Sequence, residues 1–118
     1  MLDWKVYKWA EIEMEKISEK STRQVILGNQ IMLTMNRSRA GRRVPAHQHE
    51  ELMQYVLQGK LKYKSGSKEV TVQAGEVIHI PAGVPHEIEI LEDMVVLDVF
   101  SPPKKDYLEK SDDYLRKS

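Results

Sequence analysis

Short runs of apolar residues, separated by turn-forming residues, cover most of the chain. Residues 24–35 predict two strands broken at Gly28-Asn29, and residues 60–64 and 68–72 flank Ser65-Gly66-Ser67, so both segments have the pattern of a β-hairpin. Further strands are predicted at residues 52–57, 77–80, 86–90 and 94–100. Many short strands with glycine and proline turns are typical of an all-β barrel or jelly-roll sandwich.

The two ends of the chain have different patterns. Pro102-Pro103 ends the last predicted strand, and Tyr107-Leu108 and Tyr114-Leu115 then recur seven positions apart, which predicts one apolar stripe on a short C-terminal helix. We interpret this helix as a lid over the barrel or as a surface that packs on a partner. At the other end, residues 4–9 alternate apolar and charged side chains and predict a strand with more apolar surface than one small barrel needs.

Composition limits the classes of function. A chain of 118 residues predicts a single domain, with the barrel at about residues 22–100 and a tail at residues 101–118. Equal numbers of basic and acidic residues, 18 of each, give no reason to expect binding to nucleic acid or to a membrane surface. Without cysteine there are no disulfides or thiolate ligands, and without an apolar leader or span we expect a cytoplasmic protein with a small-molecule ligand.

Histidines supply the candidate chemistry. His47 and His49 are two residues apart, so on a strand both imidazoles would point to the same side. His86 follows the turn at residues 81–85 and could complete a three-histidine site on a neighbouring strand. Neutral imidazole suits divalent Zn, Ni, Mn, Fe or Cu. His79 faces away from its neighbours Ile78 and Ile80, and we interpret it as structural.

Two motifs resemble the conserved motifs of the cupins. The first is Gly41-x5-His47-x-His49, continuing to Tyr55-Val-Leu-Gln-Gly59, and the second is Gly75-x5-Pro81-x-Gly83-x2-His86. The resemblance covers roughly residues 25–100. It implies a double-stranded β-helix, that is, a jelly-roll barrel, with a divalent metal ion held inside by His47, His49 and His86.

The fourth ligand departs from the family pattern. Cupins usually supply Glu, and in some branches Gln or His, shortly after the histidine pair. Counting forward from His49 leads to Gln54, whereas counting back from Gly59 leads to Leu52, which cannot bind a metal. We predict Gln54, with Glu51 as the alternative if a bulge turns it inward, and water as a third option. Neutral ligands would leave the ion's charge uncompensated, so the site should attract an anionic oxygen.

The segment from Val95 to Tyr107 carries a second resemblance. It is similar to the closing segment of cupins in pectin and alginate breakdown, which open the ring of 4,5-unsaturated uronates and hold their metal with three His and one Gln. The resemblance implies that Asp98, Phe100 and Lys104 line the substrate pocket, and in an enzyme of this kind we expect Asp98 to move a proton. Lysine occupies the position of arginine in those proteins, so the positive charge is kept but the bidentate contact with a carboxylate is lost. Arg42 or Arg43, just before the histidine pair, could supply such a contact, and we predict Arg43.

Three functions are consistent with these residues. The first is a non-oxidative metal-dependent enzyme acting on a small oxygen-rich anion such as an unsaturated uronate. The second is a three-histidine dioxygenase, as some cupins are, and the third is a non-catalytic module that binds a small ligand. The family resemblance and the apolar N-terminal segment, with Trp4, Val6, Tyr7 and Trp9, also predict a homodimer.

Overall fold

Antiparallel β-strands make up most of the computed structural model, which describes residues 4–118. The strands are Glu15–Ser18 (β1), Ser21–Leu27 (β2), Met32–Ser38 (β3), Arg43–His47 (β4), Glu51–Ser65 (β5), Lys68–Gln73 (β6), Val77–Ile80 (β7) and His86–Ser101 (β8). Their order in the sheet is β1-β2-β3-β8-β5-β6, with β4 also paired to β8 and β7 also paired to β5. The helices are Lys105–Glu109 (α1) and Asp113–Arg116 (α2), and a short 3₁₀ turn lies at Trp9–Glu11. The prediction of an all-β jelly roll is confirmed.

The barrel is organised around its two longest strands, β5 and β8. Each has a different partner at each end: β5 pairs with β7 and then β6, and β8 pairs with β4 and then β3. The sequence predicts breaks at Gly59 and at residues 91–93, but both strands continue through these points because shifts in register absorb the irregularity. Gly59 has φ +93°, and a Cβ there would lie 2.3 Å from the carbonyl oxygen of Asp93. The bend therefore requires glycine.

Alternation along the strands builds one apolar core. In β5, Leu52, Gln54 and Val56 are buried while the residues between them are exposed. From Met94 to Phe100, β8 alternates between buried and half-buried residues. The largest cluster contains eleven buried residues, which are Met32, Leu52, Val56, Leu61, Tyr63, Val72, Ile80, Ile90, Met94, Val96 and Phe100. Polar residues at such inward positions need a special reason, because an unpaired polar group costs free energy when it is buried.

Both chain ends differ from their sequence predictions. The tail forms two short helices instead of one, because Lys110 adopts a left-handed conformation with φ 55° and ends α1. Leu115 is buried, but Leu108 is 49% exposed, so the predicted apolar stripe is only partly used. Residues 4–8 form no strand and pair with no other segment of residues 4–118, which leaves Trp4 83% exposed. None of the helices described is long and apolar enough to cross a membrane.

Candidate metal centre

Three imidazole rings converge inside the barrel. His47 is the last residue of β4 and pairs in register with His86, the first residue of β8. His49 lies beyond the end of β4, in a turn held by the backbone bond from the Gly83 amide to the His49 carbonyl (3.0 Å). The prediction that both histidines of the pair lie on one strand is therefore wrong, although their rings do meet. One ring nitrogen from each of the three histidines lies within 4.8 Å of the other two.

Backbone carbonyls determine which nitrogen faces inward. The Nδ1 atoms of His47, His49 and His86 lie 2.8, 2.7 and 2.9 Å from the carbonyl oxygens of residues 45, 50 and 84. A carbonyl can only accept a hydrogen bond, so each Nδ1 carries the hydrogen and each Nε2 presents a lone pair. This is the arrangement by which proteins orient metal-binding histidines.

The spacing of the His49 and His86 lone pairs fits a divalent transition metal. The Nε2 atoms of His49 and His86 are 3.1 Å apart. Two bare lone pairs at this distance repel each other unless a cation lies between them. Ligands at a metal–nitrogen distance of about 2.1 Å and at right angles would be about 3.0 Å apart. The donor set therefore suits such an ion, and the metal-site prediction for these histidines agrees with the geometry.

Burial keeps these ligands neutral. Desolvation lowers the pKa of His47 and of His49 to about 4 and also lowers the pKa of His86. The nearby Lys104 ammonium acts in the same direction on all three rings. At neutral pH the imidazoles are therefore unprotonated at Nε2, which is the form that binds a metal.

Gln54 lies inside the barrel and Glu51 lies outside. The Gln54 side chain is buried, lines the same cavity as the three histidines, and accepts a hydrogen bond from the Tyr63 hydroxyl through Oε1. Glu51 is exposed, and its carboxylate lies 2.6 Å from Nε2 of His79 on the outer surface. Of the two predicted alternatives, only Gln54 faces the histidines. Its amide oxygen retains a second lone pair beside the Tyr63 bond.

Asp98 is a buried acid directly opposite Gln54 in the pairing of β5 with β8. Its Oδ2 accepts a hydrogen bond from Nδ2 of Asn36 (3.0 Å). Its Oδ1 is buried without a hydrogen-bond partner among residues 4–118. Burial raises the pKa of Asp98 to about 7, so this carboxyl can take up or release a proton near neutral pH.

Comparison with known proteins agrees with this architecture. A family model described as the cupin domain matches residues 36–100. This chain belongs to the cupin family. Among solved structures, KdgF from Halomonas sp. is 22% identical with a TM-score of 0.78, covering 87% of this chain and 99% of that one. An RmlC-like cupin from Shewanella frigidimarina is 20% identical with a TM-score of 0.79, covering 89% and 96%. At these identities the likeness concerns the fold.

Two further relatives match only part of their own length. Oxalate decarboxylase from Bacillus subtilis is 18% identical with a TM-score of 0.72, and the match covers 81% of this chain but 28% of that one. An uncharacterized protein of Streptomyces coelicolor is 39% identical over 59 residues, which are 49% of this chain and 55% of that protein. The matched part thus spans about half the length of this curated relative.

The cupin barrel places the three predicted substrate contacts differently. Phe100 lines the cavity, with its ring edge-on to His49 at a centroid distance of 5.4 Å. Lys104 is buried beside the site, but its ammonium group binds Asp106 and the Tyr114 hydroxyl in the tail. Arg43 is directed outward, with its side chain 78% exposed and paired with Glu89 at 3.3 Å.

A register shift explains the position of Arg43. Counting back in twos from the inward-facing His47 would place Arg43 inside. The shift between Val44 and His47 reverses this parity, so Val44 and Arg42 face inward instead. Arg42 then donates hydrogen bonds to the Ser38 hydroxyl and the Leu115 carbonyl, both at 2.8 Å, and holds the tail. The arginine that the structure brings to the site from this loop is Arg42.

The tail closes the cupin barrel over the histidines. The Tyr114 ring stacks on His47 at a centroid distance of 4.5 Å, and Tyr107 and Leu115 line the cavity. The cavity has a volume of about 60 Å³. The sequence did not indicate several inward polar residues, among them Arg23, Asn36 and Tyr63. Each occupies a strand position whose direction depends on pairing with distant residues, so no local signal marks it.

Proposed function

We propose that this cupin is a metal-dependent, non-oxidative enzyme that isomerises a small oxygen-rich anion, with 4,5-unsaturated uronates as the substrate class. One observation carries the proposal: three Nε2 lone pairs face the same cavity as a buried carboxyl with a free oxygen. Metal ligands and a group that can move a proton are what such a reaction needs. The similarity of the Val95–Tyr107 segment to uronate-linearising cupins supports the choice of substrate.

Metal binding and proton transfer would fall to different residues of the site. His47, His49, His86 and Gln54 would hold the metal ion, which supplies Lewis acidity toward the oxygens of a bound sugar acid. Ring opening of an unsaturated uronate breaks the ring C–O bond, releases the proton of the anomeric hydroxyl and adds a proton at C4. Asp98 can accept the first proton and deliver one to C4, because its Oδ1 is free and its pKa lies near 7. No atom is gained or lost overall.

Access to the site requires movement of the tail. A cavity of about 60 Å³ is smaller than the roughly 150 Å³ that holds one benzene molecule in a protein interior. A sugar ring therefore enters only when the segment carrying Tyr107, Tyr114 and Leu115 moves away from the barrel. The polar contacts of this segment, such as the bond from Arg42 to the Leu115 carbonyl, can be broken without unfolding the sheet.

Elemental analysis and a product assay test the proposal together. The purified protein should retain about one divalent transition-metal ion per chain. His86→Ala should lose this ion, whereas the exposed His79→Ala should keep it and serves as the matched control. Incubation with a 4,5-unsaturated uronate should remove the ultraviolet absorbance of the C4=C5 bond and give a linear keto product by NMR.

Other outcomes distinguish the alternative functions. Oxygen consumption after iron loading would replace isomerisation with a dioxygenase reaction. Ligand-induced stabilisation without any product would identify a binding module. Asp98→Asn should retain the metal and lose turnover, and an unchanged pH–rate profile in this variant would remove Asp98 from the mechanism.

A further inference from the structure

Two polar atoms are left without a partner in the cavity. Among residues 4–118, the buried side-chain atoms that lack any hydrogen bond are Nε of Arg23 and Oδ1 of Asp98. Both residues line the cavity that contains the three histidines. Arg23 is 2% exposed and Asp98 is 4% exposed, so bulk water does not satisfy either atom. One atom is a donor and the other is an acceptor.

Strand pairing brings the two residues to the same inner face. Arg23 on β2 pairs in register with Asn36 on β3, and Asn36 donates a hydrogen bond to Oδ2 of Asp98. Asn36 thus stands between Arg23 and Asp98 and holds the carboxylate by its other oxygen. The free Oδ1 remains available to a molecule inside the barrel.

Arg23 is held rigidly by contacts on its other atoms. Its Nη1 donates to Asp112 at 2.8 Å, its Nη2 donates to Glu15 at 3.3 Å, and its Cζ lies 3.7 Å from the centroid of the Tyr107 ring. These contacts orient the plane of the guanidinium, and Nε is its only nitrogen without a hydrogen bond among residues 4–118. Asp112 and Tyr107 belong to the tail, so the contact with Glu15 on β1 is the one that restrains Arg23 when the tail moves aside.

The charge around Arg23 indicates which kind of ligand atom it would take. Its positive charge is already countered by two carboxylates, Asp112 and Glu15, and both of these also bind Arg116. A ligand carboxylate would therefore meet a cation that is already neutralised. A hydroxyl group suits the site better, because its oxygen can accept from Arg23 while a hydroxyl hydrogen is donated to Asp98.

We propose that Arg23 and Asp98 form a hydroxyl-binding subsite that selects a polyhydroxylated ligand over a hydroxyl-free acid of similar size. The inference rests on the proposed function, because the other oxygen atoms of the same ligand would bind the metal ion. It assigns Arg23 as a specificity-determining residue for the sugar acids proposed above. Acids without hydroxyls leave Oδ1 of Asp98 unpaired and are disfavoured.

Equilibrium binding to the metal-loaded, full-length protein tests the subsite. D-galacturonate and cyclohexanecarboxylate serve as probes, since both present a carboxylate on a six-membered ring and only the first carries hydroxyls. By isothermal titration calorimetry, the wild-type protein should bind galacturonate at least about ten-fold more tightly. Arg23→Lys keeps the positive charge and removes the directed Nε–H, so galacturonate should bind about ten-fold more weakly while cyclohexanecarboxylate binds unchanged.

Asp112→Asn is the matched control. It weakens the same buried ion pair but leaves Nε of Arg23 in place, so it should retain the preference for galacturonate. If Arg23 served only to hold the tail, Arg23→Lys and Asp112→Asn would change the binding of both probes alike, and the subsite would be rejected. Equal affinity of the wild-type protein for the two acids, or no detectable binding of galacturonate at millimolar concentration, would also reject it.

Failure of the subsite can be distinguished from failure of the proposed function. Turnover of an unsaturated uronate together with full selectivity in Arg23→Lys would keep the function and reject the subsite. Selectivity that is lost in Arg23→Lys, in a protein that forms no product, would keep the subsite and reject the function. Metal content measured for every variant excludes indirect effects through the histidines.

Discussion

The buried carboxyl of Asp98 should destabilise the metal-free protein as the pH rises. Its pKa is raised by burial from 3.8 to about 7, so folding favours the protonated form. The stability that protonation provides is full below pH 3.8 and is lost as the pH rises through about 7. A shift of this size corresponds to about 4 kcal/mol across that range, as an order of magnitude. Replacing the acid with a neutral isostere should remove this dependence.

Asp98→Asn is the perturbation, and urea unfolding of chelator-treated protein between pH 4 and 8.5 is the assay. The histidines contribute with the opposite sign. Their folded pKa values of about 4 for His47 and His49 lie below the ordinary value of 6.5, so their contribution to stability is lost as the pH falls from 6.5 toward 4. Because both variants contain these histidines, the difference between the two unfolding free energies isolates Asp98.

As the pH rises from 4 to 8.5, we expect the free energy of unfolding of Asp98→Asn to increase relative to that of the wild type by up to about 4 kcal/mol. Glu92→Gln is the control, because it removes an exposed carboxylate, not a buried one, from the same strand. If this difference in unfolding free energy between Asp98→Asn and the wild type stays constant or falls as the pH rises, burial of the ionised carboxyl does not destabilise the folded protein, and the reasoning is refuted.

Three further predictions concern the fold, the metal and the assembly. Gly59→Ala should lower the free energy of unfolding by more than about 3 kcal/mol in urea titrations, because its Cβ would lie 2.3 Å from the Asp93 carbonyl oxygen. Gly66→Ala has open space around it and should lower the free energy of unfolding by only about 1–2 kcal/mol, because of its positive φ. Chelation should lower the melting temperature of the wild-type protein and leave that of His86→Ala unchanged in thermal scans. Sedimentation at micromolar concentration should give a dimer that Trp4→Ala weakens, and a monomer at all concentrations would contradict the interface predicted for the exposed N-terminal segment.

Much of the metal centre could be predicted because it depends on local spacing. The two motifs fix where the chain turns, so His47, His49 and His86 could be brought together from the sequence. Asp98 could be noticed as an acid inside an apolar strand. The acid in β8 follows from the alternation of a strand, whereas His49 reaches the site from the turn after β4 and not by strand alternation.

The remaining parts of the site depend on contacts between distant segments. The sequence predicts Arg43 as the inward arginine, but Arg42 faces inward, because a register shift within β4 cannot be read from the spacing of residues. Nothing in the sequence around Arg23 indicates that it faces inward, because its partner Asp112 lies 89 positions away in the chain. The tail was predicted as one helix, and its division depends on the left-handed conformation of a single lysine, Lys110, which is not a residue that usually marks a helix end.

The lengths of β5 and β8 have a mechanical consequence. Gln54, Asp98 and Phe100 lie on these two strands, whose mutual pairing runs from Glu51–Ser101 to Lys64–Glu87. The tail, by contrast, is attached through side chains and a few bonds to its carbonyls. Amide hydrogens beneath the histidines should therefore exchange with solvent only on global unfolding, whereas those of α1 and α2 exchange through local opening. Substitutions in the tail can thus change the rate at which a small molecule enters and leaves the cavity, while the barrel that holds the histidines stays intact.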